Sequence, residues 1–503
     1  MTTSDLRRRF LQALAVAGGT SRLAAAPAPG AAHRAVYPVR EFGAAGDGGR
    51  LDTRAIQAAV DACAASGGGA VYFSPGAYLS GTVFVRSGVA LELEAGATLL
   101  GSKNLADYPA VNAKIRSYTD NYTDKSLIYA EQASGIAILG RGAIDGQGAA
   151  FSGPYKLRPY LIRVVNCRNV LVEGVAIRNS PMWVQHYLAS EGVEICNITV
   201  HSLVNHNNDG IDIDGCQRVR ISGCDIVSGD DAIVLKSTLD RPCRDVVVNN
   251  CILSTRCNAL KLGTESNGGF ENIVVSNCAI YDTNLAGIAV EMVDGGVLDR
   301  VMFNNIAIQK AGAPIFIRLG DRARPFTENG PKPPVGRLCN VTISNVEAVA
   351  AARHGCSITG LPGHEAENVT LENVRIEFPG GGTADDAGRD IPENPAAYPE
   401  FKMFGVLPAY GFYCRHVKNL KLRNIETRLA AQDARPALVC DEVEDLELAG
   451  SRFAVAAGAK PALRFRNVRE AFVHGCRSHL SAGQWLEITG SSETVRLDAN
   501  QLG

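Results

Sequence analysis

Five aspartates fall within 23 residues of one another: Asp209, Asp212, Asp214, Asp230 and Asp231. They occupy two short runs, Asn207-Asn208-Asp209-Gly210-Ile211-Asp212-Ile213-Asp214 and Ser228-Gly229-Asp230-Asp231. Carboxylates this dense repel one another, so a fold keeps them for chemistry, for a metal or for a sugar. Two carboxyl groups, one protonated and one ionised, can cleave a glycosidic bond; inverting enzymes generally keep them about 6.5–9.5 Å apart. Repulsion supplies the difference in protonation by raising the pKa of one member. If the two runs lie on adjacent parallel strands, about 4.8 Å apart, side chains splayed into a groove reach that separation. Strand alternation sends consecutive residues to opposite faces. Asp230 and Asp231 therefore share a groove only where the chain turns, which Gly229 permits. Asp212 and Asp214 alternate with Ile211 and Ile213 and point out of the core, whereas Asp225 reads as a solvated turn residue.

The elements that must position these groups are short and repeated. Alternating apolar runs closed by Asn or Gly begin near Val170, Val193, Val219, Val246 and Ile273, and again near Val301, Val341, Val369, Leu420, Leu446, Val468 and Val495. Most intervals are 22 to 28 residues, with longer gaps before Val341 and Leu420. Period-2 alternation means strands with one buried face. The repeat is too short for a propeller blade or a helix-pair solenoid. The expected fold is all-β: a right-handed, single-stranded parallel β-helix, with Asn ladders at its corners. Residues 52–63 have helical spacing, with Asp52 or Thr53 as N-cap, and Gly67-Gly68-Gly69 ends the segment. Such a helix would cap the open N-terminal end of the solenoid. Proline-rich inserts at 314–337 and 379–410 read as long loops walling a groove.

The chain has 503 residues, 46% hydrophobic and 20% charged, with net charge −2. That composition fits an ordered protein with a large core and gives no support for nucleic-acid binding. Arg7-Arg8-Arg9 before an apolar stretch, with Ala24-Ala25-Ala26 after it, reads as an export signal of the twin-arginine type. Residues 1–27 are expected to be that signal, and 28–503 a single catalytic domain, monomeric, exported to the periplasm or secreted, with no membrane span. Of the fourteen cysteines, Cys167, Cys196, Cys224, Cys251 and Cys278 follow the repeat and read as stacked core thiols, with no zinc spacing among them.

At the aspartate runs the chain resembles glycoside hydrolase family 28, the polygalacturonase family. Asn207-Asn208-Asp209-Gly210-Ile211-Asp212 is similar to its Asn-Thr-Asp-Gly-x-Asp motif, and Gly229-Asp230-Asp231 to its Gly/Gln-Asp-Asp motif. Residues 39–48, 143–148 and 177–183 also resemble family segments. The resemblance covers most of the chain from about Tyr37. It implies a pectin-lyase-like solenoid and an inverting hydrolase of α-linked galacturonic acid bonds in pectin. It makes Asp230 the general acid, gives Asp209 and Asp231 to the attacking water, and implies no metal or organic cofactor.

Two departures stand out. Asn258 stands where these enzymes carry the histidine of Gly-His-Gly, and Ala289-Val290-Glu291 stands in place of Arg-Ile-Lys. A carboxylate thus replaces a cation that would grip a galacturonate. This points toward rhamnogalacturonan or exo-acting galacturonidase variants. His186, Asp212, Lys236, Arg256, Asn258, Lys261 and Glu291 are the expected substrate-binding residues, with Arg318 and Arg322 as further cations and Trp183 as a stacking platform. Two other functions fit the same residues. One is a polysaccharide lyase holding Ca²⁺ on the carboxylates, with Arg256 as base; the other is a non-catalytic glycan-binding solenoid.

Overall fold

The computed structural model of the chain describes residues 34–117, 123–456, 459 and 461–503. The expected export signal lies outside the described residues. Val36–Gly503 forms one compact unit. No helix among the described residues is long and apolar enough to cross a membrane.

Every strand pairing between coils is parallel and in register with the repeat. Val170 pairs with Val193, Val193 with Val219, Val219 with Val246, Val246 with Ile273 and Ile273 with Val301. Beyond the inserts the same column continues from Val301 through Val341, Val369 and Leu420 to Leu446. This is the expected parallel β-helix. The apolar member of each alternating pair points inward, so these residues form one continuous buried core.

The corners are built from asparagine. Asn345, Asn373 and Asn424 adopt φ of 54°, 54° and 51°, the left-handed region that asparagine tolerates. Their amides chain from coil to coil: Asn345 donates to Asn304 at 2.8 Å, Asn373 to Asn345 at 3.0 Å and Asn424 to Asn373 at 2.9 Å.

Helix α1, Thr53–Ala65, buries Ile56, Ala59, Val60 and Cys63 against the first strands and closes the N-terminal end. Asp52 occupies the N-cap position, yet its carboxylate does not cap the helix. It accepts from the amides of Ala45 and Gly46 at 2.7 and 2.9 Å, so it ties down the preceding loop. All fourteen cysteines are free thiols; Cys167, Cys224, Cys251 and Cys278 are buried as expected, whereas Cys196 takes an outward position at the end of its strand and is only half-buried.

One face carries the site. Its strands are β1 (Tyr160–Val165), β2 (Gln185–Leu188), β3 (Ile211–Asp214), β4 (Ile233–Ser237), β5 (Leu260–Ser266), β6 (Phe270–Met292) and β7 (Val297–Leu319). β7 runs through the residues expected to open the first insert, so that loop begins only after Leu319. Pro314 is tolerated because the strand's next partner, Cys356–Thr359, pairs only from Phe316 onward. The second insert separates Phe378 from Phe412 and contains a short helix, Ala384–Ala387.

Candidate active site

Outward-facing residues of these strands stack into a row. Arg163, His186, Asp212, Val234, Lys261, Ala289 and Phe316 follow one another across successive coils. The turns that precede β3 and β4 stack in the same way. Gly210 N donates to Asp231 O at 2.8 Å, and Ala232 N donates to Asn258 O at 2.9 Å. A Cβ on Gly210 would lie 2.5 Å from the Ala232 carbonyl oxygen, so this close approach needs glycine. Asn208, fully buried, fixes the turn before Asp209 by donating to the carbonyls of Ser180 and Met182 and bonding Ser202 Oγ at 3.0 Å. Asp230 and Asp231 lie in the bend between strands, which is how both reach the groove.

The three aspartates differ in surroundings. Asp230 is half-buried, and its Oδ1 accepts from the Asp231 amide at 2.9 Å. Burial and the neighbouring Asp231 push its pKa up. Asp231 is 3% exposed and sits 3.1 Å from Lys261 Nζ. Its Oδ1 accepts from the Asn258 amide nitrogen and side chain at 3.1 and 2.9 Å. Burial raises its pKa, but Lys261, Lys236 and these hydrogen bonds outweigh burial and hold it below the ordinary value. Asp209 is pushed well up by burial and by Asp230 and Asp212, with Lys236 opposing at 3.8 Å. The two adjacent residues are thus pushed in opposite directions, Asp230 toward the acid form and Asp231 toward the carboxylate.

Lys236 and Lys261 are structural counter-ions. Lys236 Nζ lies 3.8, 3.6 and 3.4 Å from Asp209, Asp212 and Glu265, and stands 4.8 Å from the centre of the Trp183 ring. Lys261 Nζ bridges Asp231 and, at 3.5 Å, Glu291. Both ammonium groups are held charged, because the surrounding carboxylates outweigh burial.

Direct sugar contact is closed to four of the expected binding residues. His186, Asp212, Asn258 and Glu291 have no exposed surface. His186 is packed among Tyr160 and Trp183, with Nε2 3.3 Å from Asp214. Asn258 acts from behind on Asp231. Asp212 and Glu291 balance the two lysines, and burial pushes both pKa values well up. Arg318 is not in the cleft: it is buried and donates to the Gly360 and Glu393 carbonyls. Arg322 pairs with Asp294 and stacks 5.4 Å from the Tyr398 ring. Arg256 is exposed, with Nη1 3.4 Å from Leu203 O. Asp225 is exposed, as expected.

Three residues of the site carried no clear sequence signal. Glu265 reaches Lys236 because the β4–β5 register shifts between Leu235 and Ser237, which breaks the alternation a reader would count. Lys236, Arg324 and Arg322 outweigh burial and hold its pKa low. Tyr398 and Glu400 come from the 379–410 insert, where no period exists to place them. Glu400 faces Lys261, Asp231 and Asp230, and burial pushes its pKa up to about 7.

Among the described residues, Asp230, Asp231 and Cys257 bring donor atoms within 4.8 Å of one another. Ca²⁺ takes six to eight oxygen ligands, and here one donor is a thiol whose pKa burial raises. A lysine ammonium already neutralises Asp231. The donor set does not fit the calcium that the lyase reading requires.

The family model described as glycosyl hydrolases family 28 matches residues 85–393. A Vitis vinifera protein named "Probable polygalacturonase" is 33% identical over 260 residues, which is 46% of this chain and 52% of that protein. The exo-poly-alpha-D-galacturonosidase of Dickeya chrysanthemi is 25% identical over 435 residues, covering 74% of this chain and 68% of its own length. The chain thus spans about half of the first relative and two thirds of the second. The crystal structure of a hyperthermoactive exopolygalacturonase from Thermotoga maritima superposes with a TM-score of 0.63 at 22% identity, over 78% of this chain and 92% of that one. At that identity the likeness concerns the fold.

Proposed function

Since the chain belongs to glycosyl hydrolases family 28, we propose that it hydrolyses α-linked galacturonic acid bonds in a pectin-type polysaccharide. The observation that carries this reading is two adjacent aspartates in unlike surroundings on one groove. Asp231 is buried against Lys261 Nζ at 3.1 Å and the Asn258 amide, whereas Asp230 is half-buried and has no cation of its own among the described residues. Their pKa values are therefore pushed in opposite directions. Asp230, protonated and the most open of the three, donates its proton to the leaving glycosidic oxygen. Asp231, ionised by Lys261, takes a proton from the attacking water. Asp209 positions that water; its raised pKa makes it a hydrogen-bonding partner rather than a second base. Water ends on the anomeric carbon, and the leaving sugar carries off the proton of Asp230.

The nearest oxygens of Asp230 and Asp231 lie within 4.8 Å, closer than the about 6.5–9.5 Å general for an inverting pair. Inversion is therefore proposed from the family and not from the spacing. The altered Asn258 and Glu291 positions favour a rhamnogalacturonan-directed or exo-acting enzyme over a plain endo-polygalacturonase. The Arg7-Arg8-Arg9 segment supports export and action outside the cytoplasm.

The test is incubation with polygalacturonan and rhamnogalacturonan fragments, sizing products over time and reading the first anomer by proton NMR. New reducing ends of inverted configuration, absent with Asp230→Asn, support the reading. An unsaturated product absorbing in the ultraviolet would replace it with a lyase, and binding without cleavage with a glycan-binding solenoid.

A further inference from the structure

A general acid works only while its proton is free to meet the leaving oxygen. The two oxygens of Asp230 have different neighbours. Oδ1 accepts from the Asp231 amide at 2.9 Å, which makes it the carbonyl oxygen of the acid and leaves the proton on Oδ2. The side-chain amide of Asn207 faces Oδ2, with Nδ2 at 3.4 Å. Catalytic hydrogen bonds often stay this long until substrate binds. An amide has a donating end and an accepting end. Turned nitrogen-first, it donates to Oδ2 and cannot take the proton. Turned oxygen-first, it would accept that proton and hold it away from the sugar.

Arg158 decides which end is shown. Its Nη2 donates to Asn207 Oδ1 at 3.1 Å. A guanidinium only donates, so the amide oxygen must face Arg158 and the amide nitrogen must face Asp230. Arg158 stands just before β1 and is itself held in place. It is buried, donates through Nη1 to the His206 carbonyl at 2.5 Å, and lies 5.1 Å from the centre of the Tyr155 ring. Asn207, half-buried at φ 55°, joins the guanidinium to the acid.

We propose that Arg158 is a positioning residue for the general acid: it locks the Asn207 amide so that only its N–H groups face Asp230, which keeps the acid proton available to the leaving glycosidic oxygen. The inference rests on the hydrolase reading and adds to it a residue that touches neither substrate nor the reacting atoms. Without the guanidinium the amide turns over, and Asn207 Oδ1 accepts from the Oδ2–H of Asp230. That hydrogen bond must break before the proton can transfer. It also favours the protonated acid, which raises the pKa of Asp230. A purely structural Arg158 would instead hold the turn through the His206 carbonyl, and its loss would not depend on the Asn207 amide.

The test is a double-mutant cycle of Arg158→Met and Asn207→Ala in the full chain, with two readouts. The first is the Asp230 carboxyl titration by carbon-13 NMR, which needs no turnover. Arg158→Met is expected to raise the Asp230 midpoint by about one pH unit, and by roughly half of that or less where Asn207 is already alanine. The second readout is kcat on polygalacturonan and rhamnogalacturonan fragments. Arg158→Met should lower it about tenfold, and less than about twofold in the Asn207→Ala background. Arg158→Lys still donates to the amide oxygen and should recover most of the loss. If Arg158→Met does not fold, Arg158→Gln replaces it in the cycle, because a glutamine amide can itself turn either way and fixes nothing. An equal rise of the midpoint with and without the Asn207 amide overturns the inference, as does an equal loss of kcat in both backgrounds; Arg158 is then structural and the hydrolase reading stands. If the wild type cleaves neither polymer, the hydrolase reading falls, and the titration cycle alone decides whether Arg158 sets the amide that faces Asp230.

Discussion

Two columns of polar side chains run along this solenoid, and they solve opposite problems. At the corner, Asn304, Asn345, Asn373 and Asn424 stack with each amide donating to the one before. An amide is both donor and acceptor, so a column of them is self-sufficient. In the groove, Asp209, Asp212, Asp230, Asp231, Glu265 and Glu291 crowd the same kind of stack with groups that only accept when ionised. This column needs lysines threaded through it and protons on some of its members. The corner shows how a β-helix satisfies polar stacking; the groove shows stacking left unsatisfied, where protonation states are forced apart. Reactivity follows from the second condition.

The comparison can be broken at either column. The largest effect is expected from Asp230→Asn. It removes the acid proton and should lower kcat by about 10³-fold with an unchanged thermal midpoint, because the half-buried side chain packs little. An active variant would move the acid role elsewhere. Next comes Lys261→Met, which leaves Asp231 and Glu291 without their cation and should cost about 10–100-fold in kcat/KM. Activity requires Asp231 ionised, so it is lost as pH falls through that group's pKa. It also requires Asp230 protonated, so it is lost as pH rises through that pKa. Lys261 lowers both pKa values, so both limbs of the pH–rate profile should move to higher pH in the variant. Static limbs would mean that Lys261 only packs.

A smaller effect is expected from Glu400→Gln. Burial pushes the Glu400 carboxyl up to about 7, so wild-type KM for an anionic oligosaccharide should rise from pH 6 to 8 as the carboxylate forms, and the variant should flatten that rise. The smallest catalytic effect belongs to the corner. Asn373→Ala breaks the ladder and removes the side-chain amide that makes φ 54° tolerable, costing about 1–3 kcal/mol in chemical denaturation. Its kcat should stay within about twofold of wild type.

The coil period was legible because burial on one face enforces alternation, and Val170 through Leu446 pair as the spacing implies. Asp209, Asp230 and Asp231 were legible for the same reason, since one period separates their turns. The roles of Lys236 and Lys261 were only half visible. Their place on outward strand positions could be counted, but not their commitment to carboxylates on other coils. Glu265 was hidden by a register shift. Arg318 was misplaced because a strand position says nothing of the Glu393 loop folded over it. Glu400 and Tyr398 were hidden because an aperiodic insert is positioned by tertiary contacts alone.

The most direct test of the account is a carboxyl carbon-13 NMR titration of aspartate-labelled protein, with signals assigned through Asp230→Asn and Asp231→Asn. The account predicts that Asp231 ionises below, and Asp230 above, the about 3.9 of an unperturbed aspartate. Two coincident titrations, or the reverse order, would contradict it.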